Sequence, residues 1–130
     1  VRYHGLGPRT DDEARVIAEH GLRVVGVEKA AVDPSSSARA ALAPLSVCDG
    51  VAVHFDVDLV DFLDAPLAEN ADRGVAPSLA TCQQMLGELF ADPRVRALTV
   101  TEFNPHHGSE DGSTTRRLIE LLVSCLRACA

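Results

Sequence analysis

The feature that most constrains this chain is an alternation of two periodicities. Short, β-branched apolar runs take turns with segments in which apolar residues recur at helical spacing. Residues 22–27 (LRVVGV), 51–55 and 95–103 (VRALTVTEF) read as strands, and Val1-Arg2-Tyr3 begins a further one. Between them, residues 11–20 carry Asp11, Asp12 and Glu13 in a first turn and end before Gly21, which predicts a short helix. Asp33-Pro34 supplies an N-cap and a proline at the first helical position of a second helix, which runs to about Ala43 and stops at Pro44. Leu79, Cys82, Met85, Leu86 and Leu89 lie on one face of a third, capped by Ser78. Asp111-Gly112-Ser113 opens a last helix carrying Leu118, Leu121, Leu122, Cys125 and Cys129. Residues 64–77 have no period and contain Pro66, Gly74 and Pro77, so they form a loop of a length that is often functional. Four strand-then-helix units predict an α/β fold, three-layer α/β/α, with a mainly parallel sheet.

At 130 residues, the chain has the length of a single domain, and 46% hydrophobic with 24% charged residues describes a globular rather than a disordered protein. The net charge of −7 repels phosphate backbones, so nucleic acid is not an expected partner. No apolar run approaches the roughly 18 residues of a membrane helix. Four cysteines without a CxxC pair read as reduced thiols, which with the absence of a signal-like start predicts a cytoplasmic protein. The chain opens at Val1 within a strand, and an upstream segment is expected.

Chemistry concentrates where strands end, which is where ligands bind in open parallel sheets. With a period of two, His54, Asp56 and Asp58 project from one side while Phe55 and Val57 project from the other. Three candidate metal ligands would converge there, and hard carboxylates with an imidazole suit Mn or Mg. Two carboxylates this close repel unless a cation lies between them or one takes a proton. The second loaded strand end is Thr101-Glu102-Phe103-Asn104-Pro105-His106-His107. Glu102 is expected to be buried and to share a crevice with the acid pair if the two strands are neighbours. A buried carboxylate needs a cationic partner, which points to a positively charged substrate. His106 and His107 are expected in the surface loop. Gly5, Gly7 and Pro8 form a turn and not a phosphate loop, and no GxSxG elbow occurs.

Phe55-Asp56-Val57-Asp58, followed by Asp61 and Pro66, with Thr101-Glu102-Phe103-Asn104-Pro105 some forty residues on, resembles the arginase/agmatinase (ureohydrolase) family. The resemblance covers residues 1–130 as the C-terminal portion of such a domain. It implies a dinuclear Mn2+ centre in which Asp56 and Asp58 are metal ligands and Glu102 holds the substrate guanidinium. It also implies a metal-bound hydroxide that cleaves a guanidino C–N bond of arginine, agmatine or a related compound, and a homo-oligomer. The family's remaining metal ligands, and a histidine that it places in its first half, have no counterpart here. A missing N-terminal half or a partner chain is therefore implied, and the isolated chain is expected to be inactive. His54 stands where the family commonly has Ser, and Leu59-Val60-Asp61-Phe62 replaces G-L-D-P, so the substrate stays open.

Two other readings compete. A D-x-D strand end also resembles haloacid-dehalogenase-like phosphotransferases, but these need a downstream lysine, and Lys29 is the only lysine. The alternative of a different class is a non-catalytic assembly module derived from the same fold.

Overall fold

The computed structural model describes residues 1–71 and 74–127; Cys129, assigned above to the last helix, lies outside them. The elements are β1 (Arg2–Leu6), α1 (Asp11–Glu19), β2 (Arg23–Gly26), α2 (Val27–Val32), α3 (Pro34–Leu42), β3 (Val51–Asp56), α4 (Leu79–Phe90), β4 (Val95–Thr101) and α5 (Ser113–Arg127). Turns of 3-10 helix follow α3 at Ala43–Leu45 and β3 at Val57–Leu59.

The helix starts follow from local chemistry. Thr10 and Glu13 form a capping box on α1, with the Glu13 carboxylate accepting the Thr10 N–H at 2.7 Å. Gly21, at φ 58°, provides the left-handed residue just beyond its end. Asp33 accepts the Ser36 N–H ahead of Pro34, and Ser78 accepts the Thr81 N–H. One element departs from expectation. The run 22–27 reads as strand throughout, yet the chain turns helical at Val27. Gly26 serves as N-cap of α2, and the burial of Val27 and Ala30, three apart on one helix face, outweighs the β preference of Val27.

The strands form two parallel pairs, β1 with β2 and β3 with β4. The second pair ends with Asp56 opposite Thr101. Along β3 the side chains alternate: Phe55 is buried and Val51 and Val53 are half-buried against the core, while Ala52 and His54 are exposed. That core also takes Ala30 of α2, Leu42 of α3, Cys82, Met85, Leu86 and Phe90 of α4, and Leu118, Leu121 and Cys125 of α5. Burial of each large apolar side chain contributes about 1.5–3 kcal/mol, so this layer holds β3 and β4 in place. By contrast α1 buries none of its residues, and Val16 is 45% exposed.

Candidate functional site

Because β3 and β4 run parallel and end in register, the acids of both strand ends emerge on one edge. Asp56 is the last residue of β3, and its Oδ1 accepts the Asp58 N–H at 2.9 Å, capping the 3-10 turn. Asp58 Oδ1 in turn accepts the Asn70 N–H at 3.1 Å. Burial raises the pKa of Asp58; the Asn70 N–H opposes the rise, and the like charges of Asp56 and Glu69 add to it.

Glu102 follows β4 directly. At φ 56° it is the one non-glycine among the described residues in the left-handed region, a conformation that costs on the order of 1 kcal/mol and persists only where neighbours fix it. The neighbours here are the loop between β3 and α4. Ala68 and Phe103 form an antiparallel bridge, Glu69 N–H donates to the Glu102 carbonyl at 2.8 Å, and Asn104 N–H donates to the Leu67 carbonyl at 2.8 Å. Ala65, Leu67 and Ala68 are buried, so the loop is anchored and not free.

A polar network lies beside these acids. Asn104 Nδ2 donates to Glu69 Oε2 at 2.7 Å, and its Oδ1 accepts the His106 N–H at 2.9 Å. His107 Nδ1–H donates to the Ala68 carbonyl at 2.8 Å, and the ring meets Phe62 edge to face with centroids 6.1 Å apart. Beneath the loop, Asp64 accepts the Leu79 N–H through Oδ2 at 2.8 Å and the Arg117 guanidinium through Oδ1 at 3.1 Å, tying the starts of α4 and α5 together. The Leu79 N–H, with Arg117 behind it, holds the Asp64 carboxyl below the usual carboxylate range.

Three expectations need correction. His54 does not converge with the acids: its Nδ1 pairs with the Thr99 hydroxyl at 2.8 Å and its Nε2 with that of Thr101 at 3.1 Å, so both ring nitrogens are engaged on β4. Asp58 sits on a 3-10 turn, where the period of two no longer applies. Among the described residues no group of three or more His, Cys, Asp or Glu side chains is placed to hold a metal ion. Glu102 is exposed and not buried. The expected adjacency of the two strand ends, however, is present in the ladder. Glu69 was not singled out from sequence, because a loop without period carries no signal of its pairing partner, and Asn104 was read only as part of the Thr101–Pro105 motif.

A second strand-end feature is a cavity of about 410 Å³ at the carboxyl ends of β1 and β2, lined by residues 6–11, Ala14, Gly26 and Glu28. Gly5, the residue before this lining, lies against Leu59 of the turn that follows β3.

This architecture defines an α/β protein with loaded carboxyl ends on parallel strands. Solved structures sharpen the class. Helicobacter pylori arginase superposes with a TM-score of 0.85 over 98% of this chain at 21% identity, and Bacillus subtilis arginase with 0.83 over 97% at 24%. A Trypanosoma cruzi formiminoglutamase structure containing Mn2+ gives 0.73 over 90% at 15%. The chain therefore has an arginase-like fold, and it spans 43%, 43% and 40% of the length of these three chains. No family model and no curated protein matches it.

Proposed function

We propose that residues 1–130 are the C-terminal portion of a metal-dependent amidinohydrolase. What supports this reading is that the strand ends carrying Asp56 and, one residue beyond Thr101, Glu102 are neighbours in a parallel pair on an arginase-like fold. In this reading the Asp56 and Asp58 carboxylates hold Mn2+, as hard oxygen donors suit it. When bound, the metal pair supplies Lewis acidity and a water activated near neutral pH. Glu102, exposed at the strand end, meets the cationic guanidino group of arginine, agmatine or a related compound. Glu69 and Asn104 hold the Glu102 segment through the paired loop.

The donors among the described residues do not by themselves fit a dinuclear centre. Two carboxylates leave most coordination positions of two divalent ions to water, so the remaining ligands come from outside residues 1–130. The isolated chain is then inactive, and the complete protein is a cytoplasmic oligomer.

The test is Mn2+ calorimetry and ammonia or urea release with arginine, agmatine and formimidoyl substrates. It compares residues 1–130, the polypeptide encoded with its upstream segment, and an Asp56→Asn/Asp58→Asn variant of the latter. The proposal expects tight binding and turnover in the longer polypeptide alone, both lost in the variant. Turnover by residues 1–130 alone, or unchanged Mn2+ affinity in the variant, rejects it. Absence of metal binding in every sample supports the second reading, a non-catalytic assembly module.

A further inference from the structure

We infer that His54 is a positioning residue for Glu102: its ring clasps Thr99 and Thr101 of β4 and so fixes the strand end from which Glu102 projects. The inference rests on the proposed hydrolase only for what Glu102 then holds, and the positioning itself needs neither metal nor substrate.

The ladder between β3 and β4 does not by itself fix where Glu102 sits. It shifts register between Val51 and Ala52, and it ends with Asp56 opposite Thr101, one residue short of Glu102. A slip of one residue in such a pair carries every side chain to the other face, so a contact that reads the register matters most near the loaded end. His54 supplies that contact. It stands in register with Thr99, and Thr101, two residues on, shares the same face. Its Nδ1 pairs with the Thr99 hydroxyl at 2.8 Å and its Nε2 with the Thr101 hydroxyl at 3.1 Å. One rigid ring thus spans two successive positions on one face of β4, and a shift of β4 along β3 loses both bonds.

Glu102 needs such a hold. Its φ of 56° is unfavourable for a residue with a Cβ and persists only where the flanks are fixed. The flank beyond it is tied to the loop between β3 and α4, through the Glu69 N–H on the Glu102 carbonyl and the Asn104 N–H on the Leu67 carbonyl, each at 2.8 Å. The flank before it is Thr101, and the His54 ring holds that side. Stability is not what the ring supplies. His54 and Thr99 are exposed, and a hydrogen bond within reach of water adds little net free energy. Phe55, Val53 and Leu98 keep the two strands on the core with or without it. Position is what it adds, and a small misplacement of a substrate-holding group costs more in turnover than the lost bond costs in folding.

The test uses two amide side chains that each copy one ring nitrogen. Glutamine places its amide near the position of Nε2 and asparagine near that of Nδ1, so His54→Gln keeps the bond to Thr101 and His54→Asn keeps only that to Thr99. In residues 1–130, His54→Ala should speed exchange of the Glu69 amide, which reports on the Glu102 carbonyl, by roughly tenfold at an unchanged urea midpoint. In the polypeptide encoded with its upstream segment, the same variant should raise KM by roughly tenfold for whichever of arginine, agmatine and formimidoyl compounds is turned over. Mn2+ affinity should not change, because buried Phe55 and Val57 anchor the Asp56–Asp58 segment independently of the ring. His54→Gln, and not His54→Asn, should restore both readouts, and Thr101→Val should reproduce the loss. An unchanged Glu69 amide in His54→Ala, or glutamine and asparagine variants that behave alike, overturns the inference. So does an unmoved KM in a longer polypeptide that turns substrate over. Where wild type turns nothing over, exchange alone decides: a response in His54→Ala that His54→Gln reverses keeps the positioning and rejects the hydrolase, whereas turnover with an unresponsive amide does the reverse.

Discussion

The two parallel pairs of this molecule share a topology and differ in what they carry. β1 and β2 end in Gly5-Leu6-Gly7-Pro8 and in Gly26, around a cavity edged by Arg9, Asp11 and Glu28. β3 and β4 end in Asp56-Val57-Asp58 and in Glu102, with a loop clamped across them by Ala68, Glu69 and Asn104. The supports differ as well. Phe55 of β3 is buried in the main core, whereas the residues of β2 are half-buried or exposed and the helix between β1 and β2 buries nothing. Strand direction places the ends in one neighbourhood, and side-chain chemistry decides which of them is a candidate site. A site needs positioned groups, and the pair with the better-packed base is the one that holds them.

The comparison breaks most readily in the core. Phe55→Ala should cost about 3–5 kcal/mol in urea-induced unfolding, and Val25→Ala, at a half-buried position, clearly less. Equal losses would show that the two pairs are supported alike. At the junction between them, Gly5→Ala should cost more than about 1 kcal/mol, because alanine at φ 79° is strained and its Cβ meets Leu59. Adding Leu59→Ala should recover part of that loss, because it removes the contact and leaves the backbone strain; additive losses in the double variant would exclude the contact.

A smaller effect is expected under the acid-bearing loop. Asp64→Asn should cost roughly 1 kcal/mol at neutral pH by weakening the cap on α4 and the pairing with Arg117. The Asp64 pKa is lowered in the folded state, so its contribution is complete above the unfolded value and is lost as pH falls through the folded one. Wild-type and Asp64→Asn thermal midpoints should therefore converge in acid, and a constant gap would deny the charge a role. The smallest effect is a rate order in thiol labelling at pH 8. Cys48, half-exposed before β3, should react ahead of Cys82, whose thiol burial pushes up to about 12, and of buried Cys125. Equal rates would mean that the helix layer over β3 and β4 opens readily.

Much of this was written locally. Asp33 and Ser78 as caps, Gly21 as a terminator and the apolar face of α4 are each settled within a few residues, so they could be read without a structure. The Asp56, Asp58 and Glu102 positions were legible for a similar reason, since acids that close an apolar strand stand out against their neighbours. The α2 boundary was not legible, because Val27 favours a strand until its burial beside Ala30 is known. Nor was the fate of His54, whose ring is taken by threonines 45 and 47 residues away.

Apart from α2, the order of strands and helices, the helix caps and the acids at the ends of β3 and β4 follow from spacing and from contacts within a turn or two, and so are carried by local sequence. Long-range packing was needed to bring two parallel pairs onto one core, to pair Asn104 with Glu69 beside the acids, and to leave Glu102 exposed at a left-handed backbone position. Those features depend on which distant segments meet, and strand pairing across tens of residues leaves no mark in local periodicity.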